Sequence, residues 1–162
     1  MAIHIYNHQC MNNSGQLAKW LTGQNLLYLA FVQALVATLG SLYFSEIRHW
    51  TPCVLCWYQR IAMYPLVFII ATAILRRDRL AYLYILPLSL IGWLIALYHN
   101  LLYYGLISEN FVPCSNDVPC TTRYFAWFGF ITIPLLSFIA FSVINTCLFL
   151  YRKNIKKDNN VN

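Results

Sequence analysis

The sequence predicts an all-α membrane protein built as a bundle of four transmembrane helices. Of its 162 residues, 60% are hydrophobic and only 10% are charged, whereas a soluble domain carries about 25% charged residues. The apolar residues are gathered into four long runs, and a helix needs about 20 such residues to cross a bilayer. This composition excludes an ordinary soluble enzyme, a disordered chain and a disulfide-stapled secreted miniprotein.

Each apolar run is expected to be helical, because a backbone in lipid must satisfy its own hydrogen bonds. Three prolines, Pro65, Pro87 and Pro134, lie inside the runs and are expected to kink them. Residues 1–24 are polar and lack the early apolar core of a cleavable signal peptide, so the first run is expected to serve as an uncleaved anchor. The predicted membrane domain covers residues 25–151, with spans at about 25–44, 57–75, 80–107 and 124–151, and a basic tail follows at 152–162.

The distribution of lysine and arginine predicts the orientation. Eight basic residues flank the membrane side that carries both termini, and three at most flank the other side. Under the positive-inside rule both termini are cytoplasmic, and two short loops, about 45–56 and about 108–123, are extracytoplasmic. The net charge of +6 is therefore interpreted as a topology signal, with no nucleic acid as a partner. The eight are Lys19, Arg76, Arg77, Arg79, Arg152, Lys153, Lys156 and Lys157, and the three are Arg48, Arg60 and Arg123.

The two outward loops carry one cysteine pair each. Cys53 and Cys56 form a C-x-x-C just before the second span, and Cys114 and Cys120 lie in the second loop with five residues between them. A disulfide across so short a loop removes little entropy from the unfolded chain, whereas C-x-x-C spacing favours thiol–disulfide exchange. The pattern therefore predicts a redox relay from the loop pair to the C-x-x-C pair. The two remaining cysteines, Cys10 and Cys147, are expected to be structural or incidental.

Two other interpretations of the four cysteines stay open. They could form two inert structural disulfides, or their four thiolates could bind zinc. The oxidising compartment argues against zinc, because thiolates there are converted to disulfides. No metal is therefore expected.

Two polar residues inside the spans are candidate site residues. Arg60 lies four residues after Cys56, one helical turn deeper on the same face. There it could favour a thiolate at Cys56 and donate hydrogen bonds to a quinone oxygen. His99 lies about two turns from the outer end of the third span, at a similar expected depth, where it could protonate a quinol. The alternatives are a snorkelling interfacial arginine and a histidine that only hydrogen-bonds a neighbouring helix.

The stretch PCVLCWYQR, residues 52–60, resembles the P-C-x-L-C-x-x-x-R signature of the DsbB family of disulfide-generating membrane oxidoreductases. The sequence is most similar to the BdbC branch of that family, which is found in Gram-positive bacteria. That similarity extends over TPCVLCWYQRIAMYPL, FVPC…VPC and GFITIPLLSFIAF and covers about residues 25–150.

The resemblance implies an enzyme, a thiol:quinone oxidoreductase in the plasma membrane. Such proteins reoxidise an extracytoplasmic thioredoxin-fold thiol oxidase of the DsbA or BdbD type and pass the electrons to menaquinone or ubiquinone. By position, Cys114 would form the mixed disulfide with the partner and Cys120 would resolve it. The proteobacterial members have a long loop at this place, so the order of these two cysteines stays open.

For the membrane side, the resemblance implies that Cys53 and Cys56 are the quinone-coupled pair, with Cys56 nearest the quinone. Arg60 and His99 would bind the quinone. Two alternatives remain, a non-enzymatic scaffold with two structural disulfides and an enzyme similar to vitamin K epoxide reductase. The latter places its C-x-x-C late, in the fourth helix, which is the reverse of the order here.

Overall fold

Four helices make up the part of the chain that the computed structural model describes, residues 23–107 and 132–159. All four are long and apolar enough to cross a membrane, which confirms the predicted all-α class with four candidate spans. The helices are α1 (Gly23–Leu42, continued by a π-helical turn at Tyr43–Ile47), α2 (Val54–Arg76), α3 (Tyr82–Tyr103) and α4 (Ile133–Asn159). The predicted orientation of termini and loops stays a prediction.

The helices form a ring in which each packs mainly on two neighbours. α1 and α3 both pack against α2 and α4. Small side chains let the helices approach closely, as is usual in membrane bundles. Those buried in the core include Ala30, Ala34, Ala62, Ala96 and Ala140. The closest such approach is at Gly92 on α3, because the ring of Phe141 from α4 occupies the place where a side chain at residue 92 would lie.

Helix α2 begins earlier than the expected residue 57. Cys53 is its N-cap, and the Cys53 sulfur accepts a hydrogen bond from the backbone N–H of Cys56 at 3.4 Å. The sequence predicted the C-x-x-C in the loop before the helix, and that prediction is wrong. Instead it forms the first turn of α2, which fixes the two thiols relative to the helix axis.

The other helix ends also differ from the expected bounds. α3 ends at Tyr103 rather than near 107 because Gly105 takes a positive φ of 72°. The backbone N–H groups of Gly105 and Leu106 bond back to Leu102 and Leu101, the pattern of a Schellman cap. α4 is described from Ile133, and the expected start of its span at 124 lies outside the described residues.

The three prolines have different settings. α2 and α3 continue through Pro65 and Pro87. Pro134 lies in the first turn of the described α4, where the missing N–H has no intrahelical partner to lose. Only the first two prolines therefore interrupt a backbone hydrogen-bond ladder.

Candidate redox site

The thiols of Cys53 and Cys56 lie side by side at the start of α2. Their sulfur atoms are 2.7 Å apart and both cysteines are free thiols. Cys53 is buried, with 7% of its surface exposed, and Cys56 is partly exposed. Because a disulfide bond is about 2.05 Å long, small side-chain rotations suffice to join them. The pair is therefore placed to alternate between a dithiol and a disulfide.

The Cys53 sulfur is the stabilised thiolate of the pair. The hydrogen bond from the Cys56 side chain lowers the pKa of Cys53 from 9.0 to about 4; burial opposes this, and His99 adds a smaller lowering. The described contacts favour a thiolate at Cys53, and the expectation that Arg60 favours one at Cys56 stays a prediction. A stabilised Cys53 thiolate makes this sulfur both a nucleophile and a good leaving group in exchange.

His99 comes from α3 to complete the environment of Cys53. It is almost fully buried, with 1% of its surface exposed. Its Nε2 lies 3.9 Å from the Cys53 sulfur, and its Nδ1 lies 3.1 Å from the side-chain nitrogen of Gln59 on α2. Gln59 was not predicted as a site residue. The available signal was a polar side chain in an apolar span, next to Arg60.

Arg60 lies one turn beyond Cys56 and reaches across to α1. Its Nη2 donates a hydrogen bond of 3.1 Å to the backbone oxygen of Ser41. Its guanidinium carbon lies 5.6 Å from the centroid of the Trp57 ring, a cation–π contact. Arginine has five N–H donors, and the hydrogen bonds found among the described residues use one of them.

A cavity of about 330 Å³ opens beside the cysteine pair, between α1, α2 and α4. This volume lies within the usual range of small-molecule sites. Most of its walls are apolar, from residues such as Val36, Phe44 and Met63. Its polar side chains are Gln33, Ser41, Thr51, Cys53, Cys56, Gln59, Arg60, Tyr64, His99 and Ser137. Arg60 and His99, which the sequence placed at similar depth, therefore line one cavity.

Gln33 and Ser137 are cavity residues that sequence reasoning missed. Gln33 lies in the middle of α1 and Ser137 near the start of α4. Neither side chain has a hydrogen-bond partner among the described residues. The only signal in the sequence was a polar residue inside each apolar run, with nothing to show which way it faced.

The donor atoms of Cys53, Cys56 and His99 lie within 4.8 Å of one another, which is close enough to consider a metal site. The described residues offer three such donors, one fewer than the four of a closed structural zinc site. The side-chain nitrogen of Gln59 lies 3.1 Å from Nδ1 of His99. The described part of the chain therefore does not complete a structural zinc site.

The other cysteines do not join this site in the described part of the chain. Cys114, Cys120 and Cys10 lie outside the described residues. Cys147 is buried on α4 within the main apolar core, whereas Cys53 belongs to a separate small cluster with Leu55 and Leu102. A packing role for Cys147 stays a prediction that its burial supports.

Comparison with known proteins gives consistent matches over the membrane domain. The family model described as "Disulfide bond formation protein DsbB" matches residues 23–151. The chain is 51% identical over 118 residues to "Disulfide bond formation protein C" of Bacillus subtilis, covering 73% of this chain and 86% of that protein. It is 50% identical over 127 residues to "Probable disulfide formation protein C" of Halalkalibacterium halodurans, covering 78% and 93%.

A more distant relative shows the same match. The chain is 42% identical over 138 residues to "Probable disulfide formation protein" of Deinococcus radiodurans, covering 80% of this chain and 90% of that protein. No solved structure matches the chain.

Proposed function

The chain belongs to the DsbB family of disulfide bond formation proteins, and on that premise we propose that it is a thiol:quinone oxidoreductase. Family membership makes it a disulfide-generating oxidoreductase of the membrane. The finer proposal is that it reoxidises an extracytoplasmic thioredoxin-fold thiol oxidase and passes the electrons to a membrane quinone. Overall, two partner thiols become a disulfide while two electrons and two protons pass to the quinone.

The observation that carries the proposal is that the cysteine pair forms one wall of a mainly apolar cavity. Cys53 and Cys56 both line it, and Arg60 lies one turn deeper with N–H donors that the described residues leave unused. An apolar cavity with a few polar groups suits a lipid-soluble ring that carries two oxygen atoms. Gln33 and Ser137, which have no partner among the described residues, add a donor group each. A quinone held there would supply an acceptor for two electrons and two protons.

The position of each site residue indicates its role in the proposed reaction. Cys53 carries the stabilised thiolate next to His99, and Cys56 lies on the Arg60 side of the pair. Arg60 binds and orients the quinone. His99, held beside the cysteine pair, also reaches the cavity. Menaquinone and ubiquinone both fit this description.

The loop pair completes the proposed relay. Cys114 forms the mixed disulfide with the partner and Cys120 resolves it, after which the electrons pass to Cys53 and Cys56. Exchange proceeds through a mixed disulfide that persists when the resolving thiol is removed. Cys120→Ser should therefore accumulate a covalent complex with the partner that reductant dissolves. If only Cys114→Ser traps the partner, the two roles are reversed.

The main experiment is a turnover assay with purified full-length protein in detergent. The substrates are a reduced DsbA-type oxidase and a water-soluble ubiquinone or menaquinone analogue, and quinone absorbance is followed. We expect Cys53→Ser and Cys56→Ser to abolish turnover and the control Cys147→Ser to retain it. Turnover in Cys53→Ser would overturn the relay. Disulfides that the reduced partner cannot open would indicate a scaffold instead.

The proposed sidedness has its own test. A thiol reagent that does not cross membranes should label Cys114 and Cys120 in intact cells after reduction, and should leave Cys10 unlabelled. Labelling of Cys10 would invert the orientation and place the redox loops in a reducing compartment.

A further inference from the structure

We propose that Gln59 is a positioning residue that holds the His99 ring with its proton on Nε2, so that His99 donates a hydrogen bond to the Cys53 sulfur. The proposal deepens the proposed function, since it assigns the control of the cysteine pair to a residue outside the C-x-x-C signature. It rests on contacts within the chain alone.

Two contacts define the arrangement. The Gln59 side-chain nitrogen lies 3.1 Å from Nδ1 of His99, and Nε2 of His99 lies 3.9 Å from the Cys53 sulfur. Both side chains are buried, with 6% of Gln59 and 1% of His99 exposed. The three groups therefore form a chain from α2 to α3 and back to α2, shielded from bulk solvent.

The direction of the hydrogen bonds follows from the donor inventory. The Gln59 nitrogen can only donate, so Nδ1 of His99 accepts. A neutral imidazole has one proton, which must then lie on Nε2 and point towards Cys53. In the other tautomer a lone pair would face the sulfur and repel a thiolate. Gln59 thus selects the tautomer that stabilises a negative charge on Cys53.

A buried amide in an apolar helix needs such a partner. An amide removed from water without a compensating hydrogen bond carries a substantial free-energy cost. Among the described residues, His99 is the hydrogen-bond partner found for the Gln59 side chain. The pairing accounts for a glutamine at this place, where a leucine would insert into the membrane more readily.

The arrangement acts when the disulfide between Cys53 and Cys56 is reduced by a dithiol. The S–S bond breaks, a disulfide forms in the dithiol, and two electrons enter the pair. Of the two protons from the dithiol, one stays with Cys56 and one leaves to solvent, so Cys53 remains a thiolate. The Nε2–H of His99 donates a hydrogen bond to that thiolate and stabilises its negative charge.

Among the described residues, few other ionisable groups face Cys53. Cys56 faces it from α2 and His99 from α3, Tyr98 on α3 packs against the small cluster that contains Cys53, and Arg60 and Tyr64 lie further along the same cavity on α2. The side chains that line the cavity from α1 and the described part of α4 include no charged or titratable group. A change in the ionisation of Cys53 after mutation of Gln59 is therefore attributable to His99.

The direct test is nitrogen NMR of the full-length protein labelled with ¹⁵N-histidine, in the reduced form and without quinone or partner. Ring nitrogen shifts distinguish protonated from unprotonated nitrogens, and a His99→Gln sample identifies the His99 signals. We expect Nε2 protonated in the wild type, a mixture in Gln59→Met, and Nδ1 protonated in Gln59→Glu, because a carboxylate accepts. Asn145→Leu, which removes another buried amide, should leave the His99 signals unchanged. Nδ1–H in the wild type would overturn the proposal.

The functional consequence is measured by alkylation of Cys53 in the same reduced protein across pH, with the modified peptide quantified by mass spectrometry. Gln59→Met should move the inflection upward by about one pH unit, and Asn145→Leu should not move it. An unchanged profile in Gln59→Met would show that Gln59 only packs. Since neither assay uses quinone or partner, a failure here is distinct from a failure of quinone reduction.

Discussion

The guanidinium of Arg60 donates a hydrogen bond to the backbone oxygen of Ser41, across the α1–α2 interface, at 3.1 Å. Ser41 lies where α1 passes into the π-helical turn Tyr43–Ile47, and such turns are frequent at functional sites. The partner is a neutral carbonyl, so the contact fixes the position of the guanidinium without neutralising its charge. Arg60 is therefore held in place and remains able to bind an electron-rich oxygen.

Removal of the Arg60 side-chain charge should weaken quinone binding. Arg60→Met should raise the KM for quinone about tenfold or more, because a hydrogen bond to a charged group is worth about 1.5–3 kcal/mol. Arg60→Lys should recover only part of the loss, since it keeps the charge without the planar donors. The measurement is initial rate of quinone reduction against quinone concentration.

The chain offers a matched control for Arg60. Arg48 stacks on Trp50 with the same 5.6 Å separation from ring centroid to guanidinium carbon, but it does not line the cavity. Arg48→Met should leave the KM for quinone unchanged. An equal increase in both variants would show that loss of an interfacial arginine, rather than of a quinone ligand, causes the effect.

Gln33 should be a second contact for the quinone from the opposite wall. Gln33→Leu should raise the KM for quinone by a few-fold, since a neutral hydrogen bond contributes about 0.5–1.5 kcal/mol. Thr38→Val is the control on the same helix, because the buried Thr38 hydroxyl has no hydrogen-bond partner among the described residues and does not line the cavity. A KM unaffected by Gln33→Leu would place the quinone ring nearer to Cys56 than to the middle of α1.

The reactivity of Cys53 should persist into acid. Its pKa of about 4 means that the thiolate is present above that pH and is lost as the pH falls through it. Alkylation of reduced Cys53 should therefore change little with protonation state from about pH 5 upward and fall below pH 4. Cys56→Ala should move the inflection up towards the ordinary value of 9.0, because the Cys56 hydrogen bond is the main cause of the lowering. An inflection near 9 in the wild type would contradict this assignment.

Gly92 should be intolerant of larger residues. A Cβ there would overlap the Phe141 ring, and overpacking of a filled core costs about 1–3 kcal/mol. Gly92→Ala should lower the Tm of the purified protein in detergent, and Gly92→Ala combined with Phe141→Leu should recover part of it. Gly40→Ala is the control for stability, since no described atom outside its own stretch of helix lies within 4 Å of a Cβ at that position.

The number of helices and the central part of the site were predictable from the sequence. Four apolar runs of sufficient length leave one class of fold, and Arg60 stands one turn after Cys56 in any helix. The start of α2 was not predictable, because a cysteine thiol is not among the preferred N-cap side chains. The end of α3 was also missed, since Leu106 and Ile107 continue the apolar run beyond the capping Gly105.

The contacts of the polar side chains could not be predicted from the sequence for a different reason. Membrane helices are apolar on all sides, so periodicity does not show how each is rotated in the bundle. Gln33 and Gln59 could each have faced lipid, cavity or a neighbouring helix. The packing of α1 and α3 against α2 turns Gln33 to the cavity and Gln59 to His99.

The cavity occupies only the half of the bundle that carries Cys53. Its lining on α2 extends no further than Tyr64, and beyond it the core is closed by fully buried Leu66, Ile70, Ile144 and Leu148. In the proposed function, electrons and protons therefore enter and leave at the same end of the bundle. A charge moved across the whole membrane would add about 2.3 kcal/mol per 100 mV to the reaction. Since the proposed route moves no charge across the whole membrane, we expect turnover to be independent of the membrane potential, with the reaction itself generating no proton gradient.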